Sequence, residues 1–339
     1  MALSRQYSQV TLTETDAPFI AEIVAAADRL AGVALRTPLL PFRDGSFIKA
    51  ESLQPTGSFK IRGAYNALAK LSSEERARGV VVHSSGNHAQ AIARAARLLG
   101  IRAVVVMPDN APDIKVAGVR ADGGEIVFVG PHNVERVAKA HEIADEQGLV
   151  VVSSANHVDV IAGQGTVGLE IADQLLERGI EGEVVVLTPV GLGGLAAGIS
   201  TALANTDGTG RTFHVFGVEP KLAADAHDSL AAGELSPWPS EDTARTIADG
   251  LRAEAPAPIP FELLKRHLAG VITVSEDEIV DAMRVAARES KLVLEPSGAT
   301  ALAALLSHRE ELPSGTTVAV ASGGNVDPAR YLEWLAKDK

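Results

Sequence analysis

Short runs of β-branched residues alternate along the chain with longer stretches in which apolar residues recur every three or four positions. Residues 79–83, 103–107, 125–129, 150–152, 183–187, 214–218 and 317–320 read as strands. Several are apolar throughout instead of alternating, which predicts strands buried on both faces and paired in parallel. Between them, 89–99, 134–147, 161–178 and 276–290 carry the helical spacing. This β–α alternation predicts an α/β fold with helices on both sheet faces. In such folds ligands sit where loops leave the carboxyl ends of the strands. Residues 233–260, rich in Pro, Ala and acids, follow neither period and read as a surface excursion.

Composition narrows the chemistry. A chain of 339 residues, 46% apolar, is long enough for two domains with substantial cores. Acids outnumber bases 43 to 31, a formal charge of −12, so neither nucleic acid nor an anionic membrane is an expected partner. Cysteine is absent, which removes disulfides, thiolate metal sites, iron–sulfur clusters and cysteine nucleophiles. Only ten of the basic residues are lysines, and a guanidinium forms no carbonyl Schiff base, so any such residue is one of those ten. Residues 1–17 lack a basic start followed by an apolar run, so no secretion signal is expected. The most apolar region, 184–199, is broken by Pro189 and four glycines. It is also shorter than the roughly 20 residues of a membrane span. The expected location is the cytoplasm.

Five segments can carry chemistry. In Thr56-Gly57-Ser58-Phe59-Lys60-Ile61-Arg62-Gly63-Ala64, Gly57 and Ser58 read as a turn and helix cap. Lys60 then falls in a first helical turn among apolar neighbours, where the dipole and desolvation both disfavour an ammonium. An ordinary solvated lysine is the competing reading. Ser84-Ser85-Gly86-Asn87-His88 joins a strand to a helix and offers backbone donors to an anion such as a carboxylate, or simply caps that helix. Gly191-Leu192-Gly193-Gly194-Leu195 opens another helix and suits a phosphate, although a tight turn explains it equally. Ser322-Gly323-Gly324-Asn325 follows the last strand. Glu219 and Asp225, with the carbonyl of Ala223, form an oxygen-rich group for a hard divalent cation, or two solvated acids.

Taken in order, from Arg36-Thr37-Pro38-Leu39-Leu40 to Asn325, these segments resemble the fold-type II pyridoxal-phosphate enzymes, and within them the serine/threonine dehydratase and serine racemase group. The resemblance implies a tryptophan synthase β-like α/β fold. A large cofactor-binding domain, 1–78 and 158–339, would carry a smaller mobile domain, 79–157. It assigns the Schiff-base lysine to Lys60, with Phe59 against the cofactor ring. Ser84, Ser85, Gly86, Asn87 and His88 would contact the substrate carboxylate, Asn87 also reaching the cofactor's phenolic oxygen. Gly191, Leu192, Gly193, Gly194 and Leu195 would hold the phosphate, and Ser322 the pyridine nitrogen. Glu219, Ala223 and Asp225 match the spacing of a Mg2+, Mn2+ or Ca2+ site.

The implied activity is elimination of water and ammonia from L-threonine or L-serine to give a 2-keto acid, by a homodimer acting on a small amino acid. The alternatives are a serine racemase, with Ser85 as acid/base on the face opposite Lys60, and a 3-hydroxyaspartate ammonia-lyase. The last needs an extra cation for a second carboxylate, which no residue of the sequence identifies. Two departures stand out: Leu192 replaces a common glycine, and Ser153-Ser154-Ala155-Asn156-His157-Val158-Asp159 differs from the His-Pro version of many dehydratases.

Overall fold

The computed structural model describes residues 17–336 apart from 85, 112, 131–132 and 207–209. In chain order its strands are β1 (Leu39–Pro41), β2 (Phe47–Lys49), β3 (Val80–His83), β4 (Ala103–Pro108), β5 (Glu125–Val129), β6 (Val150–Val151), β7 (Gly182–Pro189), β8 (Arg211–Pro220), β9 (Leu268–Val274) and β10 (Thr316–Val320). They form a six-stranded sheet, β1-β2-β10-β7-β8-β9, and a four-stranded sheet, β5-β4-β3-β6. Every pairing is parallel except β1 with β2.

The continuous apolar runs are explained by two-sided burial. In β7, Val185 and Leu187 face a core built with the helices Glu276–Val285 and Pro296–Ser307. Val184 and Val186 face the opposite core, built with Val158–Glu177 and Gly194–Ala204. The smaller sheet repeats the arrangement: Val80 and Val82 pack on the helices Lys60–Ala69 and Asn87–Leu99, and Val81 on Asn133–Gln147.

Close helix packing sets the spacing of the cleft. A Cβ on Gly163 would lie 2.6 Å from the Cα of Gly63, and one on Gly198 would lie 2.6 Å from the amide nitrogen of Gly165. The helix Val158–Glu177 therefore supports both the lysine helix and the helix after the glycine-rich loop at backbone distance, which side chains there would prevent.

Three expectations need correction. The predicted helix 276–290 is α-helical only to Val285, and a π turn, Ala286–Ser290, follows. Residues 233–260 are a surface excursion only in their first part: none of 233–242 is buried, but Thr243, Thr246, Ala248 and Leu251 are, and Ala257 N–H donates to the carbonyl of Leu192 at 3.1 Å. The predicted strand 214–218 is longer, Arg211–Pro220, so Glu219 lies within β8. Among the described residues no helix is long and apolar enough to cross a membrane.

Candidate active site

Lys60 begins the helix Lys60–Ala69, but Ser58 does not cap it. The chain ahead of Lys60 is instead pinned to the loop after β10. Ser58 forms an antiparallel bridge with Gly323. Phe59 N–H donates to the Ser322 carbonyl at 3.1 Å, and Gly324 N–H to that of Gly57 at 2.8 Å. The Ser58 hydroxyl is buried without a partner. Two residues beyond Lys60, the buried Arg62 donates to Glu51 at 2.8 Å and to Glu170 at 2.6 Å, anchoring the first turn.

The Lys60 amine lies 4.9 Å from the centre of the Phe59 ring and 3.5 Å from the Ser154 carbonyl oxygen. Its side chain is partly exposed, yet the surrounding protein removes enough water to push its pKa down to about 8, against the pull of Glu295. A lysine amine of this kind is neutral in a useful fraction of molecules near neutral pH.

Ser84 follows β3, donates its backbone N–H to the Val106 carbonyl at 3.1 Å, and accepts from Gly86 N–H at 3.3 Å through its hydroxyl. Ser85 lies outside the described residues. Asn87 heads the next helix with both ends of its amide engaged: Nδ2 donates to Glu295 at 2.5 Å, and Oδ1 accepts from Asn325 at 2.8 Å. His88 is buried, and desolvation with the charge of Lys60 pushes its ring down to about 3. It is neutral at physiological pH and offers an anion no charge.

In the glycine-rich loop Gly193 takes φ +90°, where a Cβ would also come within 2.8 Å of Pro260. Gly194 opens the helix Gly194–Ala204, and a Cβ there would lie 3.2 Å from that of Ala155, next to Ser154. The loop and Lys60 thus flank one turn, so an anion on the amides of Gly191 to Leu195 would sit near the amine. Leu192 is 42% exposed, so its side chain leaves the loop while its carbonyl is held by Ala257. Ser322 is buried where β10 ends.

Sequence reasoning misses Glu295. It stands alone ahead of the apolar helix Pro296–Ser307, and that isolation is its only signal. Burial and then the charge of Asp249 raise its pKa to about 8, against Lys115, Asn87 and Lys60. Near pH 7 the carboxyl is therefore mostly protonated. Because Lys60 sits near 8, covalent capture of an aldehyde by the free enzyme should speed up about tenfold from pH 7 to 9 and then level off. Glu295 ionises over the same pH range and then supports the ammonium, so Glu295→Gln should move the midpoint lower. Stopped-flow absorbance at a series of pH values reads both; an unchanged midpoint in Glu295→Gln would separate the two groups.

Glu219 and Asp225 are fully buried, and Ala223 is buried between them. Glu219 accepts from Ala226 N–H at 3.2 Å and His227 N–H at 2.8 Å. Both Asp225 carboxylate oxygens are without a partner from another residue. Burial raises Asp225 to about 7 and Glu219 well above its ordinary value. Two buried acids, one of them with both oxygens unpartnered, fit a bound cation. Among the described residues no group of three or more His, Asp or Glu side chains gathers, so carbonyls such as that of Ala223 would complete the shell.

The chain is similar to known proteins over nearly its whole length. A family described as pyridoxal-phosphate dependent enzyme matches residues 31–323. An L-threo-3-hydroxyaspartate ammonia-lyase of Pseudomonas sp is 39% identical, over 93% of this chain and 97% of that protein. A serine racemase of Schizosaccharomyces pombe is 34% identical, over 94% and 98%. The crystal structure of a T.th. threonine deaminase superposes with a TM-score of 0.83 at 41% identity, covering 91% of this chain and 98% of the other. The amine of Lys60, the glycine cradle and the tryptophan synthase β-like fold suit the cofactor that this family carries. The chain belongs to the fold-type II pyridoxal-phosphate-dependent enzymes, in the group that includes the threonine dehydratases and serine racemases.

Proposed function

We propose that the protein is an ammonia-lyase that converts a β-hydroxy amino acid, L-threonine, L-serine or 3-hydroxyaspartate, into a 2-keto acid and ammonium. The observation that carries this reading is the weakly basic Lys60 amine, which lies at the turn Ser154–Ala155 against the glycine-rich loop and whose charge reaches His88 of the segment 84–88. Pyridoxal phosphate, when bound, withdraws electrons from the substrate Cα, which acidifies the α-proton and lets a β-hydroxyl leave.

The chain's own residues do the rest. Lys60 Nζ holds the cofactor and, once released by the substrate, takes the α-proton as a neutral amine. Phe59 bounds one side of the ring. The amides of Gly191, Leu192, Gly193, Gly194 and Leu195 hold the phosphate at a helix start. Ser84, Ser85, Gly86, Asn87 and the backbone of His88 orient the carboxylate. Ser322 would offer the pyridine nitrogen an uncharged hydroxyl. The elimination releases water, and hydrolysis of the resulting imine consumes one, so the net loss is ammonia.

Glu219, Ala223 and Asp225 would hold Mg2+, Mn2+ or Ca2+, binding the end of β8 to the helix Asp225–Ala232. Residues 79–157 form the unit we expect to close over the substrate and exclude water. The working form is a homodimer in the cytoplasm. Ser85 would carry the racemase alternative, as the acid/base for the face opposite Lys60.

Product analysis tests the reading. With L-threonine, L-serine, D-serine and L-threo-3-hydroxyaspartate supplied separately, at least one L-substrate should give keto acid and ammonia in equal amounts. Chelation should lower that rate and a divalent ion restore it. Epimer without keto acid would replace the lyase reading by the racemase one, and no change in any substrate would refute both.

A further inference from the structure

Lys115 lies on the helix Asp113–Ala121, which follows β4, and turns inward, with 13% of its side chain exposed. A Cβ built on Gly86 would stand 3.9 Å from Lys115 Nζ, so the ammonium borders the segment 84–88. Lys115 pairs with Asp249, which is 41% exposed. Asp249 opens the turn Asp249–Leu251, whose Gly250 carbonyl oxygen would lie 3.2 Å from a Cβ on Gly191 of the glycine-rich loop. The pair therefore spans the cleft from the side of the four-stranded sheet to that of the glycine-rich loop. The charges of Asp249, Lys115 and Lys60 all act on Glu295, which places the pair close to the reacting amine.

A monocarboxylic substrate asks nothing of this pair. A dicarboxylic one brings a second anion, and His88, neutral, cannot balance it. Exchange of one carboxylate for another on Lys115 keeps the ammonium paired throughout, while Asp249 is exposed enough to be released to water. We propose that Lys115 accepts the distal carboxylate of a 3-hydroxyaspartate-type substrate in place of Asp249, so that this pair sets the preference between dicarboxylic and monocarboxylic β-hydroxy amino acids. The inference rests on the ammonia-lyase reading of the cleft.

Its test compares the holoenzyme with Lys115→Gln, Lys115→Arg and Asp249→Asn. The readout is the ratio of kcat/KM for L-threo-3-hydroxyaspartate to that for L-serine. Lys115→Gln should lower the ratio about tenfold or more, as loss of a charge-assisted contact does. Lys115→Arg should keep most of it. Asp249→Asn, which removes a competitor and a repelling charge, should raise it severalfold. A strut that merely holds the cleft together would move the ratio in the same direction, or not at all, in Lys115→Gln and Asp249→Asn, and either result would overturn the proposal. Dissociation constants of L-aspartate and L-alanine, which lack the leaving hydroxyl, give the same ratio from cofactor absorbance without turnover. Failure of catalysis in the wild type would then count against the lyase reading alone, whereas L-aspartate binding unaffected by Lys115→Gln would count against Lys115.

Discussion

Lys60→Ala is expected to lower kcat for every β-hydroxy amino acid by about a thousandfold or more while the protein stays folded. The loss is large because one amine both anchors the cofactor and moves the α-proton. The fold should survive because the Lys60 side chain makes one long hydrogen bond, 3.5 Å to the Ser154 carbonyl, and otherwise lies over the Phe59 ring. Arg62, not Lys60, fastens the helix through Glu51 and Glu170. Circular dichroism and thermal denaturation should match the wild type, and a small primary amine added to the assay should restore part of the rate. Turnover within tenfold of wild type would assign the chemistry to another group.

Gly298→Ala is expected to destabilise the protein by about 1–3 kcal/mol or more and to weaken cofactor retention. An added Cβ would stand 2.0 Å from the Gly323 carbonyl oxygen and 2.8 Å from its nitrogen. Both are backbone atoms, so no side-chain rotation relieves the overlap. The loop Ser322-Gly323-Gly324-Asn325 must move, and with it the bridge from Gly323 to Ser58 and the hydrogen bond from Phe59 to Ser322. The same methyl thus disturbs the approach to Lys60 and the site of the pyridine partner. A fall in Tm of several degrees and faster cofactor loss on dialysis are the expected readings. A Tm within a degree of wild type, with cofactor retained, would mean that the loop is not held by this contact.

What the sequence makes legible follows from how each element is stabilised. Strands such as β4 and β7 are buried on both faces by helices, so their apolar runs announce them and their parallel pairing. The chemistry-bearing loops follow because such strands must end in turns that lead to helices. The strands β1 and β2 are three residues each, too short for any period to register. The segment 233–260 buries scattered residues such as Thr246 and Leu251 at no regular period, so its pattern reads as surface. Ser58 suggests a cap because local spacing cannot reveal that a loop from the far end of the chain, Ser322 to Asn325, supplies the partners instead. Glu295 and the Lys115–Asp249 pair share that origin: each acquires meaning only when distant segments meet.

Covalent trapping identifies the lysine that carries the cofactor. Holoenzyme is reduced with borohydride, digested, and the peptide carrying the reduced pyridoxyl phosphate is sequenced by mass spectrometry. The label is expected on Lys60 alone of the ten lysines, with none in Lys60→Ala. A label on any other lysine, or a catalytically active enzyme that takes no label, would contradict it.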